Sequence, residues 1–136
     1  DMNPETRDLL ETNMNVFDKK RDADGTYVVG TMDARLLASS LPETRNMADV
    51  LLVNLPHDGI EHLPDLLPLL SNGQALLCGW SIIEKSETEA FMNTLEAILH
   101  AGNRKIESDK LDIVKGFSAT KSMVRYECIL SSKTNR

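Results

Sequence analysis

Three polar side chains stand where backbone patterns break, and each could do chemistry. Asn54 ends the apolar run Val50-Leu51-Leu52-Val53 and is followed by Leu55-Pro56. Its carboxamide can donate and accept at once, which suits the orientation of a base or an amine. Asp33 follows the β-rich run Thr26-Tyr27-Val28-Val29-Gly30, with Ala34 and Arg35 beside it. Asp1 stands just before the helix start Asn3-Pro4. An acid between a strand and a helix can accept hydrogen bonds from ribose hydroxyls. A carboxylate further along the same edge can accept from an adenine amino group. In open α/β sheets, ligands sit at the carboxyl ends of strands, so Asn54 is the first residue to test for chemistry.

The elements that must position these residues follow from the pattern of the chain. The run Asp49–Val53 reads as a strand buried on both faces. Asn3 suits a helix N-cap and Pro4 the first helical position. Leu10, Met14 and Phe17 make one stripe, so a helix is predicted over residues 4–17, with a solvated loop over 18–25. Residues 26–30 are predicted to form a strand. Leu36, Leu37 and Leu41 suggest a short helix closed by Pro42. Ile60, Leu63, Leu66, Leu67 and Leu70 repeat at helical spacing as a core stripe, in a helix that Pro68 shortens or kinks.

Residues 74–78 read as another buried strand, with Gly79-Trp80 at its carboxyl end, where Trp80 could stack on a base or cofactor but reads first as a packing residue. Ser86 and Glu89 have the spacing of a capping box. The helix that they open would bury Ala90, Phe91, Leu95, Ile98 and Leu99, and end with Gly102 as its C′ residue. Leu111, Ile113 and Phe117, then Val124, Tyr126, Cys128 and Leu130, alternate with period two and read as late strands, with an antiparallel turn over residues 116–121. Alternating strands and helices call for an α/β fold with a mostly parallel sheet, and the last strands add an antiparallel hairpin.

Composition narrows the function. At 136 residues the chain is one domain or part of one. A net charge of −6 argues against a general nucleic-acid-binding surface, because phosphate binding needs a basic face. A catalytic piece whose RNA grip lies elsewhere remains compatible with it. Cys78 and Cys128 lie in apolar stretches and read as buried, reduced thiols. No metal-ligand spacing is present, so a reducing compartment is expected: cytoplasmic, or alternatively mitochondrial. No apolar run is long enough to cross a bilayer. His57 and His62 could do acid–base chemistry near Asn54, but read as exposed helix-entry residues.

Several short motifs together resemble a known family. Asp1-Met2-Asn3-Pro4, followed by Leu9-Leu10 and Asn13-Met14-Asn15, is similar to the D-x-N-P stretch that ends the second strand of class I S-adenosylmethionine-dependent methyltransferases. Residues 30–35 are similar to a G-D-A-R element with an insertion. Ala48-Asp49 with Asn54-Leu55-Pro56 resembles A-D…N-L-P, and Val114-Lys115-Gly116-Phe117-Ser118 resembles V-K-x-Y-S. The combination resembles the archaeal/eukaryotic-type tRNA (guanine-N1-)-methyltransferases and their wybutosine-pathway relatives.

The resemblance implies a Rossmann-like class I methyltransferase fold, with S-adenosylmethionine as cofactor and tRNA or another RNA as substrate. Asp1 would bind the cofactor ribose, and Asp33 with Ala34 would face its adenine. Asn54, Leu55 and Pro56 would line the methyl-transfer site, Asn54 also touching the cofactor. One departure is plain: the family's first strand and Gly-rich loop have no counterpart, and the glycines of this chain never form G-x-G. Residues 1–136 are therefore expected to be the carboxyl-terminal part of such a domain. The rival expectation is a non-catalytic scaffold or assembly factor of the same fold. A methyltransferase for proteins or small molecules would share the fold too.

Overall fold

Asn3 and Pro4 start the first helix as their types dictate. The Asn3 carboxamide oxygen accepts the Glu5 backbone N–H at 3.0 Å, and Pro4 sits where its missing N–H costs nothing. The computed structural model describes residues 3–20 and 27–133; Asp1 lies outside that range, as does the expected loop from residue 21 to Gly25. A 3-10 turn, Pro4–Thr6, leads into α1, Arg7–Lys20. The helix runs three residues past Phe17, and Lys19 and Lys20 fall in its last turn, where cations favour the negative end of the helix dipole. The predicted apolar stripe exists, but no residue of α1 is buried: Phe17 is 56% exposed.

The strand expected over residues 26–30 is not observed. Thr26 lies outside the described residues, and Tyr27–Gly30 have no regular structure. β-rich composition needs a pairing partner to become a strand, and no described strand runs beside these residues. The short helix is present as a 3-10 turn, Ala34–Leu36, and α2, Leu37–Ser40. It is followed, as expected, by Pro42.

β1, Val50–Val53, pairs in parallel with β2, Ala75–Glu84, with Val53 opposite Gly79. Between them run α3, Gly59–Leu66, and a 3-10 turn, Leu67–Leu69, that begins where Pro68 disallows further α-helix. The expectation that β1 is buried on both faces needs correction. Among the described residues β1 is an edge strand, with Leu52 64% exposed and Val53 buried. A run of apolar residues calls for two covered faces without saying what covers them. The expected end of the next strand also moves. β2 passes through Gly79 and Trp80 and continues to Glu84, because β4 supplies hydrogen-bonding partners along its whole length.

α4, Thr88–Ala101, buries Phe91, Leu95 and Leu99, and half-buries Ile98, whereas Ala90 is exposed. The capping box does not form. Ser86 lies within a 3-10 turn, Lys85–Glu87, that precedes the helix, and the N-cap position falls on Glu87 without a side-chain bond. At the other end Gly102 has φ −76°, and Asn103 takes the left-handed conformation at φ 60°. Gly102 is needed for a different reason: a Cβ there would stand 2.5 Å from Leu67 Cδ1.

β3, Arg104–Gly116, and β4, Lys121–Ser132, form the expected antiparallel hairpin, and the sheet order is β1-β2-β4-β3. The sheet is mixed, with β1 and β2 parallel and β4 antiparallel to both of its neighbours. The core lies where Val124, Tyr126, Cys128 and Leu130 of β4 meet α4 and the leucines of α3. Both cysteines are buried free thiols, and burial raises the pKa of each, Cys128 up to about 12, which disfavours the thiolate form.

Candidate functional site

The loop after β1 is shaped by three hydrogen bonds and a glycine. The Leu55 carbonyl accepts the Gly59 N–H at 2.6 Å, the Pro56 carbonyl accepts the Ile82 N–H at 2.9 Å, and the Asp58 carbonyl accepts the Glu61 N–H at 3.1 Å. The loop is thus pinned to β2 on one side and to the first turn of α3 on the other. Gly59 enters α3 under close contact: a Cβ would lie 3.3 Å from Val53 Cγ1 and 3.7 Å from the Trp80 carbonyl oxygen. Pro56 fixes its own φ and brings no N–H to be satisfied. Asn54 follows β1 directly, exposed, and its carboxamide makes no hydrogen bond among the described residues. A loop held by these backbone bonds therefore carries a donor–acceptor pair, without a hydrogen-bond partner among the described residues, at the carboxyl end of a strand, the position anticipated from the sequence.

Asp33 sits differently from its expectation. It follows no described strand and instead caps the 3-10 turn Ala34–Leu36, its Oδ1 accepting the Arg35 backbone N–H at 3.0 Å. The Arg35 guanidinium closes onto the same carboxylate, Nε donating at 3.0 and 3.1 Å and Nη2 at 2.5 Å. These bonds, the side-chain ones foremost, hold the Asp33 pKa down at about 2. The sequence places Arg35 beside Asp33 but does not by itself assign it this ion pair. The signal was available, since a guanidinium two residues after a turn acid can reach back to it.

Asp33 and Arg35 line a groove of about 430 Å³ with Arg45, Pro64 and Asp65, between α2 and α3. Ala34 is half-buried against the core. Asn54 and Pro56 do not line this groove. The link between the two places is α3, whose start the Asn54 loop feeds and whose His62 lowers the Asp33 pKa further. Of the two histidines, His57 is exposed before α3 as expected, but His62 is half-buried, and its Nδ1 is buried without a partner among the described residues. Trp80, expected at a strand end, is half-buried in the middle of β2 opposite Arg125.

The Asp33–Arg35 pair makes a prediction. A carboxyl held below its unfolded value contributes stability above that value and loses it as the pH falls through the folded one. Carbon-13 NMR of the Asp33 carboxyl should therefore show titration near pH 2. In Arg35→Gln it should return towards the ordinary carboxylate range of about 3.9.

No family model and no curated protein matches the chain, but solved structures do. The structure of M. jannaschii TYW2 in complex with AdoMet aligns with a TM-score of 0.81 at 13% identity, over 98% of this chain and 56% of that one. P. horikoshii TYW2 in complex with MeSAdo gives 0.78 at 19%, over 98% and 47%. The M. jannaschii tRNA m1G37 methyltransferase gives 0.67 at 16%, over 98% and 37%. The chain thus spans about half the length of the TYW2 structures. At these identities the likeness establishes the fold, an α/β sheet of the class I methyltransferase kind, as the sequence motifs implied.

Proposed function

We propose that residues 1–136 are the carboxyl-terminal part of a Rossmann-like domain that transfers a methyl group from S-adenosylmethionine to a base nitrogen of tRNA, of the guanosine N1 type. The observation that carries the reading is the Asn54-Leu55-Pro56 loop, braced on β2 and α3, with the Asn54 carboxamide making no hydrogen bond among the described residues. The complexes of the TYW2 neighbours with AdoMet and MeSAdo, and the tRNA methyltransferase among the neighbours, support it. The reaction would run in the cytoplasm. No described helix is long and apolar enough to cross a membrane.

When bound, S-adenosylmethionine supplies an electrophilic methyl group on a sulfonium. The contribution of this chain is to place the acceptor. The Asn54 carboxamide can bond one polar group beside the reacting nitrogen, donating to the base carbonyl or accepting from the base amine. This fixes the ring edge and leaves that nitrogen open to the methyl; the S–CH3 bond breaks as the N–CH3 bond forms, and the proton of the nitrogen leaves to solvent water. Pro56 keeps that carboxamide in place through its bonded carbonyl. On the cofactor side, Asp33 and Ala34 would face the adenine, and Asp1 the ribose. The Asp33 carboxylate is available there only by sharing or exchanging its bonds to Arg35. The net charge of −6 leaves most of the RNA grip to regions outside this chain.

Titration of S-adenosylmethionine into the full-length protein is the test. Saturable heat is expected, with about 2.7 kcal/mol of added stability at a hundredfold excess over Kd. No heat and no thermal shift would instead favour the non-catalytic scaffold. In the same protein, Asn54→Ala should lower kcat about a hundredfold while S-adenosylmethionine affinity stays within about threefold, because a misplaced acceptor costs rate rather than cofactor binding. Equal losses in both would move Asn54 away from the acceptor base.

A further inference from the structure

One rim of the sheet gathers more than the Asn54 loop. β1 and β2 run in parallel towards this end of the sheet, β1 stopping at Val53 opposite Gly79 and β2 continuing to Glu84; β4 starts there, with Lys121 opposite Glu84, and β3 ends there, with Gly116 opposite Ser122. The β3–β4 turn therefore projects from the same end of the sheet as Asn54, beyond the end of β1. The chain from Asn54 reaches towards it through Pro56, whose carbonyl accepts the Ile82 N–H. It is tightly held. Phe117 and Ser118 donate their backbone N–H groups to the Lys121 carbonyl at 2.9 and 3.1 Å, and the Lys121 N–H returns a bond to Ser118 Oγ at 3.1 Å. Lys85, just past β2, donates its Nζ to the Ala119 carbonyl at 2.9 Å and its backbone N–H to the Thr120 carbonyl at 2.8 Å.

This braced turn displays an aromatic ring that the core does not use. Phe117 is 50% exposed in a chain with only 4% aromatic residues. Its ring meets that of His57 nearly edge-on, with centroids 6.2 Å apart and planes at 78°. His57 stands three residues after Asn54, so the contact joins the turn to the candidate acceptor loop. Lys115, Lys85 and Lys121 surround the turn. Lys121 is engaged with Glu84 at 3.7 Å, and Lys115 makes no ion pair among the described residues.

We infer that Phe117, steadied by His57, is the platform on which the acceptor purine of the RNA stacks while Asn54 holds its edge. This rests on the methyltransferase reading and extends it to the substrate base. Every nucleobase presents a π-face, and stacking on an exposed aromatic ring is a common way to hold an unpaired base. Lysines beside the ring suit the flanking phosphates. Phe117 makes and breaks no bond in the transfer; it is a positioning residue.

The experiment uses the full-length protein, S-adenosylmethionine and an unmodified tRNA transcript with guanosine at position 37. Phe117→Leu keeps an apolar side chain and removes the π-face. It should raise KM for the tRNA about ten- to a hundredfold and leave S-adenosylmethionine affinity unchanged, whereas Phe117→Tyr should stay close to the starting protein. A transcript with 2-aminopurine at position 37 reads stacking without turnover. Its fluorescence should be quenched by the unsubstituted protein and by Phe117→Tyr, but not by Phe117→Leu. A Phe117→Leu protein with unchanged KM and unchanged quenching overturns the platform, even while methyl transfer by the unsubstituted protein upholds the parent reading. A parallel loss of S-adenosylmethionine affinity in Phe117→Leu also overturns it, by assigning the ring to the cofactor or to the fold. An unsubstituted protein that binds no S-adenosylmethionine removes the parent reading, and the platform with it.

Discussion

Gly79→Ala is expected to lower the stability of the protein by about 3 kcal/mol, and Gly79→Val by more, enough to unfold a domain of ordinary stability. Gly79 lies in the middle of β2, directly opposite Tyr126 of β4, and the tyrosine ring crosses the strand above it. A Cβ at Gly79 would stand 2.2 Å from the Tyr126 hydroxyl oxygen and 2.3 Å from Cζ, well inside contact distance. The ring cannot retreat. Tyr126 is fully buried, and its other neighbours include Phe91 of α4, with ring centroids 5.8 Å apart. Urea unfolding monitored by circular dichroism measures the loss.

The control is Gly79→Ala combined with Tyr126→Leu. The shorter side chain clears the Cβ, so the double variant should be more stable than the sum of the two single effects predicts. Strict additivity would mean that the clash is not the cause. Tyr126→Phe alone should be close to neutral. The hydroxyl is buried without a hydrogen-bond partner among the described residues, so its removal also removes a desolvation cost.

Arg104→Met is expected to cost about 4 kcal/mol, although it exchanges a buried charge for an apolar side chain of similar length. Arg104 is only 4% exposed, and its guanidinium donates to the carbonyls of Ser71 at 2.6 Å, Leu70 at 2.6 Å and Leu67 at 3.1 Å. These carbonyls lie at and just beyond the end of α3 and its 3-10 extension, where a helix has no N–H groups left to offer and the dipole is negative. Leu67 keeps a second donor, the Leu70 N–H at 3.1 Å. Methionine would leave the Ser71 and Leu70 carbonyls without the donor that Arg104 provides, at about 1–3 kcal/mol for each group left unsatisfied. Arg104→Lys keeps a cation but loses the planar fork, so it should fall between the two. Equal stability of the lysine variant and the natural chain would show that charge alone matters there. Thermal and urea unfolding of the set decides it.

Arg104 and Gly79 also mark where sequence reasoning runs out. Nothing in Asn103-Arg104-Lys105 distinguishes a buried helix-capping arginine from a solvated one, because its partners lie more than thirty residues away. Gly79 followed by Trp80 reads as a strand end, and only the register with Tyr126 shows that the glycine is a seat for a ring. The Ser86–Glu89 spacing has the form of a capping box, yet the chain leaves β2 through a 3-10 turn and takes another cap. A local motif offers one way to satisfy a helix end, and the neighbouring strand decides whether the backbone can use it.

What the sequence determined by itself was the set of elements whose cause is local. Periodicity of 3.6 or 2, proline and asparagine at helix starts and a polar turn between alternating strands specify α1, α3, α4 and the β3–β4 hairpin. The apolar run that stops at Asn54 places that carboxamide at a strand end. Tertiary structure decided matters that depend on distant partners. It made β1 an edge strand among the described residues, left residues 27–30 outside any strand, and brought the ring of Phe117 against His57 beside the Asn54 loop. Hydrophobic period reports which side of an element turns inward. Only the packed chain settles which side chain from elsewhere arrives to meet it.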